Sequence, residues 1–341
     1  MAQAQNFRPS QDVSVHYQVE ATPGTRPDNA GLKKLQATSF TIPEASVPVE
    51  YSSARSGQYV TTASQGHHSE GTKLWTFDTT LRGTPDSVLL ATLGVFEDGS
   101  SEAELNNTYS YPVASYRVNN PSSCNTYDVR FHNAGAKDDV ETVSAVGCVA
   151  TGFTLSSDIG SEGGELVCTI NWATGFKPTM IGDDLTSGAY DTGTPKNIRN
   201  LHAANTYIND GSNEEIVIQS FELSVQRTIE RIHYADNTSG TFAPFGYAMT
   251  GGLEVTGTIT AIRNEDIYDL HDAGRFRDSN TVAIKIGEST AGDFTIDIPK
   301  AYLNEPSIDN GGAVLMETIP FTAVGADDIS SASKMLGIQI S

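Results

Sequence analysis

Alternation of apolar with small polar residues is the dominant pattern along this chain. From Gly251 to Ala261 the sequence GGLEVTGTITA reads as a strand with one covered face. Asn264-Glu265-Asp266 follows, and a capping side chain before two carboxylates predicts the start of a short helix. Residues 71–90 (GTKLWTFDTTLRGTPDSVLL) show the same order, with Thr84-Pro85-Asp86 at the predicted helix start.

These two stretches belong to a longer internal repeat. A shift of 181 positions places residues 36–90 on 217–271 and matches Phe40 with Phe221. A second pair of segments, 149–172 and 298–321, shows a similar order, and Gly163-Gly164 matches Gly311-Gly312 at a shift of 148. Self-similarity on this scale indicates a duplicated structural unit.

The repeat predicts a mainly β protein with two tandem β-sandwich domains, each with one short α-helix. The expected boundaries are an N-terminal arm at 1–34, a first domain at 35–176, a linker or surface excursion at 177–213, a second domain at 214–325 and a C-terminal arm at 326–341. Such domains leave strand edges that must be covered, and pairing with neighbouring subunits would close the sheets into a barrel.

Composition narrows the function classes. The 341 residues carry 42 acidic and 21 basic side chains, a formal charge of −21, which serves solubility and disfavours a grip on nucleic-acid phosphates. No run of 18 apolar residues is present, so we expect no membrane insertion, and the polar N-terminus lacks the apolar core of a signal peptide. The spacing of Cys124, Cys148 and Cys168 fits no zinc pattern and favours reduced thiols.

Candidate chemistry is weak. His67-His68 reads as an exposed loop pair, and Asp183-Asp184 and Asp236-Asn237 lack the ligand order of a calcium loop. The sequence has no nucleophile elbow, P-loop or dinucleotide fingerprint. We therefore expect no enzymatic activity, no metal and no cofactor.

The order of these motifs resembles a known family. Residues 15–42 are similar to the N-terminal signature of the tail tube proteins of long-tailed, non-contractile bacteriophages. In that family an aromatic residue and Glu-Ala-Thr-x-Gly-Thr-x-Pro lead into the first strand, and the matching residues here are Tyr17, Glu20, Ala21, Thr22, Gly24, Thr25 and Pro27. Segments 53–96, 251–270 and 294–324 resemble later parts of the family, whereas 97–140 and 177–213 do not.

The resemblance implies a structural virion protein that polymerises as stacked rings into the tail tube, the conduit for genome ejection. It implies assembly in the host cytoplasm and a place in the virion tail. The implied partners are further copies of the chain, a tape-measure protein, and terminator and distal tail proteins, with DNA passing the lumen without specific binding. Two domains per chain favour trimeric rings with pseudo-sixfold symmetry over hexamers.

Strand alternation identifies a candidate lumen-facing set in the second repeat, with one residue from the first. These residues share one predicted strand face, although a plain solvent-facing surface fits them equally well. They are Thr41, Glu222, Ser224, Gln226, Glu254, Thr256, Thr258 and Thr260. In the first repeat Trp75 and Phe77 fall where Thr256 and Thr258 lie, so either a bulge turns the face or both faces are partly covered.

The long loops at 43–70 and 227–251, together with the arms at 1–30 and 325–341, are candidates for contacts between rings. Apolar side chains in the two loops make up the predicted contact set. These side chains are Ile229, Ile232, Tyr234, Phe242, Phe245, Tyr247, Tyr51 and Tyr59. The alternative is that these residues cover their own sandwich.

Two other function classes remain as rivals. One is a carbohydrate- or receptor-binding β-sandwich or capsid decoration protein, and the other is a metal- or glycan-dependent hydrolase.

Overall fold

The computed structural model is mainly β, with 23 strands and two α-helices in the part of the chain it describes. The described residues are 13–22, 24–44, 49–51, 66–68, 74–95, 109–110, 126–133, 141–161, 163–182, 185, 189–233, 244–249, 253–277, 280–288, 294–325 and 335–340. The helices are α1 (Pro85–Val95) and α2 (Glu265–Asp272), close to the two predicted positions.

The strands divide into a first half, β1 to β12, and a second half, β13 to β23. The first half contains β1 (Val13–Val19), β2 (Lys33–Lys34), β3 (Ala37–Phe40), β4 (Val49–Tyr51), β5 (Gly66–His68), β6 (Trp75–Arg82), β7 (Tyr109–Ser110), β8 (Tyr127–Asn133), β9 (Glu141–Asp158), β10 (Val167–Thr174), β11 (Thr179–Ile181) and β12 (Ala189–Tyr190). The second half contains β13 (Tyr207–Asn209), β14 (Asn213–Glu215), β15 (Ile218–Gln226), β16 (Ile229–His233), β17 (Pro244–Met249), β18 (Glu254–Ile262), β19 (Val282–Gly287), β20 (Phe294–Leu303), β21 (Ser307–Asp309), β22 (Met316–Ala323) and β23 (Gly337–Ile340).

The two halves repeat one antiparallel pairing order. In the first half it runs β2–β1–β8–β9–β10–β6–β3. In the second half it runs β14–β13–β19–β20–β22–β18–β15. β11 extends along β9 as β23 extends along β20, and the hairpins β4–β5 and β16–β17 occupy the same place in each half. The repeated segments therefore adopt the same connectivity.

Registers refine the repeat by one residue. Phe40 pairs with Thr79 and Phe221 with Ile259, so the shift is 181 for β3 to β15 but 180 for β6 to β18. The helix caps agree, because Thr84 and Asn264 each accept a backbone N–H of the first helical turn. The expectation of one constant, gap-free shift therefore differs from the structure.

The one-residue difference explains why Trp75 and Phe77 fall on Thr256 and Thr258 when a shift of 181 is applied. Trp75 corresponds to Val255 and Phe77 to Gly257, so both aromatic side chains lie on the buried face. Thr76, Asp78 and Thr80 then lie on the opposite face of β6. Neither a turned face nor a doubly covered strand is needed, because the excursion before β6 is one residue longer than its counterpart before β18.

The segments assigned to terminal arms form strands where they are described. β1 pairs along its whole length with β8, and Val15 and Tyr17 are buried in the core. β23 pairs with β20 and buries Ile338 and Ile340. Alternating apolar side chains in both segments find partners far away in the chain, which explains why a local reading took them for arms.

The expected linker at 177–213 is likewise part of the sheet. It supplies β11, β12 and β13, and its Asp191 carboxylate accepts a hydrogen bond of 2.6 Å from the Thr84 hydroxyl at the start of α1. Lys196 N–H donates to Gly83 O at 3.0 Å, and His202 N–H donates to Gly287 O at 3.0 Å. These bonds tie the segment to both halves.

One core cluster extends through both halves. α1 contributes Val88, Leu90 and Ala91 to it, and α2 contributes Ile267 and Leu270. Both helices therefore pack on the same side of the sheet as the apolar strand positions. The opposite side of the sheet carries the polar positions.

Candidate functional site

A single sheet crosses from one half to the other. Seven residue pairs join β9 to β15, from Ser220 opposite Asp158 to Gln226 opposite Gly152. This contact, the internal junction, links β3–β6–β10–β9 with β15–β18–β22 into seven consecutive antiparallel strands. Gly152 lies close to the partner strand there, since a Cβ atom would stand 2.5 Å from the carbonyl oxygen of Val225.

One face of these seven strands is lined by small polar side chains. Residues that lie directly opposite one another across a sheet share a face, so the registers define rows. One complete row is Ser39, Thr80, Thr169, Thr154, Ser224, Thr256 and Thr322. The next row contains Ser156, Glu222, Thr258 and Pro320, and we call the whole surface the polar face.

The structure brings the predicted lumen set together on this polar face. Glu222, Gln226, Glu254 and Thr258 are exposed, and Ser224, Thr256 and Thr260 are partly exposed. Thr41 joins them from the first half, because its hydroxyl donates a 2.7 Å hydrogen bond to the Asp78 carboxylate in β6. Sequence reasoning missed the contributions of β6, β9 and β10, although TGFTLSSD and VCTINW alternate in the same way.

Hydroxyl pairs hold the rows in register. Thr169 and Thr80 hydroxyl oxygens are 3.2 Å apart in the first half, and Thr260 and Thr318 hydroxyl oxygens are 3.0 Å apart in the second. Cross-strand threonine pairs of this kind stabilise antiparallel sheets by fractions of a kcal/mol each, on the order of 0.2–1. Short hydroxyl side chains of the polar face are therefore hydrogen-bonded to one another in both halves.

Acidic groups dominate the charge of the polar face. Asp78, Asp158, Glu222 and Glu254 lie on it, and the described rows contain one cation, Arg82. Arg82 donates to both carboxylate oxygens of Glu165 at 2.5 and 2.8 Å, and this bond holds the pKa of Glu165 below its usual value. Hydrogen bonds from Ser161 and Gly160 likewise lower the pKa of Asp158. Four carboxylates against one cation give the described rows an excess of formal negative charge.

The apolar face of the same strands packs in the core, and this packing holds the strands, and with them the polar face, in position. Phe153, Leu155, Leu223 and Ile259 are fully or almost fully buried in the core. Trp172 packs beside Phe77 and donates its indole N–H to the Thr79 hydroxyl at 3.0 Å. Removing any strand of this set from the sheet would expose several large side chains.

The β16–β17 hairpin reaches back from the second half onto the first. Ile229 and Tyr247 are buried against Val149 and Ala173, so these two predicted ring-contact residues cover their own chain. The Tyr247 hydroxyl donates to Gly147 O at 2.6 Å and accepts from Gly175 N–H at 2.9 Å. Burial raises the pKa of Tyr247, which therefore stays protonated.

The structure describes no side-chain contacts for the other six predicted ring-contact residues. Ile232, Phe245 and Tyr51 lie in β16, β17 and β4, of which only the backbone is described at these positions. Tyr59, Tyr234 and Phe242 lie outside the described residues, as do Asp183-Asp184 and Asp236-Asn237. His67-His68 lies in β5.

The N-terminal signature has a structural role that sequence reasoning did not assign. The Glu20 carboxylate is buried and accepts hydrogen bonds from Gly24 N–H and Gly147 N–H, both at 2.8 Å. Thr126 donates a third bond of 2.7 Å, and burial raises the pKa of Glu20. Glu20 and Gly24 of the signature thus lock the turn after β1 onto a bulge in β9, where Gly147 has φ +62°.

A buried ion pair was also missed. Asp128 and Arg130 on β8 are fully buried, and the guanidinium Nε lies 2.7 Å from the Asp128 carboxylate. Arg130 also donates to Asn29 and to Pro27 O, which fastens the segment after the signature onto the sheet. Both residues lie in a strand whose sequence mixes polar with apolar residues, so the sequence does not indicate that the two charged side chains are buried together.

No group of three or more His, Cys, Asp or Glu side chains suited to a metal ion occurs among the described residues. Neither described helix has the length and apolar character needed to cross a membrane. Neither a scan against protein-family models nor a search of curated proteins finds a match to this chain.

Proposed function

We propose that this chain is a structural subunit of a phage tail tube, of the type found in long-tailed, non-contractile bacteriophages. In this proposal it carries two copies of one β-sandwich, and its copies form stacked rings whose inner wall is the polar face. The observation that carries the proposal is the internal junction, which joins the polar faces of both halves into one surface.

The outermost strands of this sheet support ring formation, namely β3 at one end and, beyond β22, β21 at the other. In the described part of the chain β3 pairs with β6 alone, and β21 pairs with β22 alone. Each strand therefore presents one edge that another chain can complete by β-augmentation. The two edges stand at opposite ends of the same sheet, which is the arrangement that a head-to-tail ring requires.

The stagger of the strands is compatible with a closed barrel. Following one row from Thr80 through Thr169, Thr154 and Ser224 leads to Thr256, four residues short of Thr260, the repeat counterpart of Thr80. Four residues of shear per four strands correspond to a tilt of about 35°, at ~3.3 Å per residue and ~4.8 Å between strands. Barrels have tilts of roughly this size.

The barrel dimension follows from the number of chains. Each chain would contribute eight strands, namely β3, β6, β10, β9, β15, β18, β22 and β20 with β21. Three chains at a tilt of about 35° give a backbone diameter of about 45 Å, and six chains give about 90 Å. We propose the trimer, in which two domains per chain occupy six pseudo-equivalent positions.

The chemistry of the polar face suits passage of DNA. Threonine and serine hydroxyls and a few carboxylates offer no cation cluster that would neutralise phosphates and release counterions. Arg82 is already engaged by Glu165. DNA would thus move past the wall without specific binding, from virion to host, after assembly of the tail in the host cytoplasm.

Further partners belong to the same proposal. A tape-measure protein would fill the lumen before ejection, and terminator and distal tail proteins would bind the two ends of the tube. No enzymatic step, metal or cofactor is required. A sugar- or receptor-binding sandwich or a decoration protein would instead function as an isolated unit.

Electron microscopy of the purified chain tests the proposal. We expect hollow tubes or discs, with threefold symmetry and an inner β-barrel about 45 Å across. A threefold ring distinguishes the trimer from the hexamer directly. Monomers without rings, at concentrations and salt levels that keep the chain folded, would contradict the tube function and favour the binding-module classes.

A further inference from the structure

Two large apolar side chains are exposed at the two unpaired edges of the sheet. Ile42, just beyond β3, is 42 % exposed, and Ile308 in β21 is 50 % exposed. Each lies in or next to a strand that has a single partner among the described residues, β6 for β3 and β22 for β21. In the part of the chain that the structure describes, these two isoleucines therefore mark the places where each end of the sheet could accept a further strand.

The internal repeat identifies the counterparts of both residues. β3 corresponds to β15 at a shift of 181, so Ile42 corresponds to Leu223. β21 corresponds to the end of β9, because Ser307 pairs with Thr318 as Thr154 pairs with Thr169, and Thr318 and Thr169 are equivalent. Ile308 is therefore the counterpart of Leu155.

Leu155 and Leu223 lie directly opposite each other in the internal junction. Both are buried, with exposures of 0 % and 1 %. The chain thus contains one complete contact of this kind, between β9 and β15. It also carries the two edges from which a second version of the contact could form, one at β3 and one at β21. In that second version each isoleucine has the position and the chemistry of its buried counterpart, but none of the described strands lies beside it.

We infer that β3 of one copy pairs antiparallel with β21 of the next copy, in the register of the internal junction. Ile42 then lies opposite Ile308 of the second copy, as Leu223 lies opposite Leu155. Thr41 lies opposite Asp309, as Glu222 lies opposite Ser156, and Phe40 lies opposite Asn310, as Phe221 lies opposite Ser157. The inference deepens the proposed ring and rests on it for closure, whereas the contact itself requires two copies only.

The register places the right chemistry on each side of the sheet. Thr41 and Asp309 would extend the polar face across the subunit boundary, which keeps the wall continuous. Ile42 and Ile308 would extend the apolar face, so that burial of both removes the exposed apolar surface at the two edges. A slip by one residue would place isoleucines on the polar face, so register is strongly specified.

Disulfide capture between two singly substituted chains tests the register. The variants are Thr41→Cys and Asp309→Cys, each in a Cys124→Ser background, since the native Cys148 and Cys168 are buried. Directly opposite residues in antiparallel strands have Cα atoms about 4.5–5.5 Å apart, within disulfide range. We expect a covalent dimer when the two variants are mixed and oxidised, and none from either variant alone.

The matched control moves one cysteine along the strand. Glu305→Cys lies four residues from Asp309, about 13 Å away at the rise of an extended strand, which is beyond disulfide reach of Thr41. We expect at least tenfold less dimer from this pair. Equal yields from both pairs, or no dimer from Thr41→Cys with Asp309→Cys in a folded and assembled sample, would overturn the inferred register.

An Ile42→Asp variant separates the inference from the proposed function. A charge at this position would oppose burial of the edge and reduce self-association at least tenfold, measured by sedimentation velocity, while circular dichroism remains native. Tubes with no captured dimer would leave the tube function standing and overturn the register. A captured dimer that forms no rings or tubes would support the register and contradict the tube function.

Discussion

At the scale of single residues, several polar groups are buried where the chain has no obvious catalytic use for them. Glu20 accepts bonds from Thr126 and Gly147, and Arg130 donates to Asn29 and Pro27 O, so both join distant segments. Asp128 pairs with Arg130 in the same strand and accepts a bond from Ser144 in β9. Because a buried charge without partners is costly, such groups specify one arrangement of the segments they join. They define the fold around the polar face rather than act on a ligand.

His16 is another buried polar group, and its effect on stability can be tested by changing the pH. It is almost fully buried on β1, and burial lowers its pKa from 6.5 to about 4, with further lowering from the nearby His132, Lys34 and Arg130. The unfolded chain binds a proton below pH 6.5 that the folded chain refuses until about pH 4. His16 therefore removes roughly 3 kcal/mol of stability as the pH falls through this window.

We expect His16→Gln to show a smaller loss of unfolding free energy between pH 7 and pH 4.5 than the parent chain, measured by urea denaturation. His202→Gln is the matched control, because His202 is exposed. Its pH profile should follow that of the parent. The comparison is between proteins at each pH, so the opposite contribution of Glu20, whose raised pKa favours folding at low pH, cancels. Parallel profiles for all three proteins would contradict the role of His16.

At the scale of elements, local alternation predicted some strands and their faces. In β15 and β18 the sequence alone separated Glu222, Ser224 and Thr258 from the buried Leu223 and Val255, because a strand with one covered face shows period two. The pairing of β9 with β15 has no local signal, since it joins strands from different halves. β1 and β23 read as arms for the same reason.

The hairpin β16–β17 shows the limit of a sequence argument from exposed apolar residues. Ile229 and Tyr247 have no partner nearby in the sequence, so the sequence favours contacts between rings and leaves contacts within the chain as the alternative. Tertiary folding supplies Val149, Ala173 and Gly175 from the first half as their neighbours. For these two residues the intrachain alternative holds.

Tyr247→Phe tests how the hairpin is fastened. The variant keeps the buried ring but loses the bond to Gly147 O and leaves Gly175 N–H without this acceptor. We expect a cost of about 2 kcal/mol, and faster hydrogen exchange by about thirtyfold at Gly175 and in β16 and β17. Tyr268→Phe, at a tyrosine that is 57 % exposed, should change neither quantity. A Tyr247 variant that exchanges like the parent would contradict the proposed anchor.

At the scale of the whole molecule, the internal repeat would allow folding of one chain to form contacts that smaller subunits would have to form by assembly. A heterologous contact either closes into a ring or continues as an open filament, depending on the rotation that it imposes. In this chain half of the contacts of a pseudo-sixfold ring would be made within the polypeptide, through the internal junction. In the proposed ring, folding would fix the rotation between the two halves of a chain before two copies meet.

The same geometry assigns the two sides of the sheet different tasks in the proposed tube. α2 packs on the apolar side through Ile267 and Leu270, so its exposed carboxylates face away from the polar face. The net charge of −21 is thus shared between an outer surface, where it serves solubility, and an inner wall, where it would repel phosphates. These two uses of negative charge can be separated by substitution.

Charge reversal on each side makes that separation. Glu222→Lys with Glu254→Lys places two cations on the polar face, and Asp269→Lys with Asp272→Lys makes the same change in net charge on α2. Tubes assembled with short DNA duplexes and then treated with nuclease should protect DNA only in the polar-face variant, since lysines there bind phosphates and release counterions. Protection should fall steeply with salt. Equal protection by the α2 variant, or by the parent, would contradict the assignment of the polar face to the lumen.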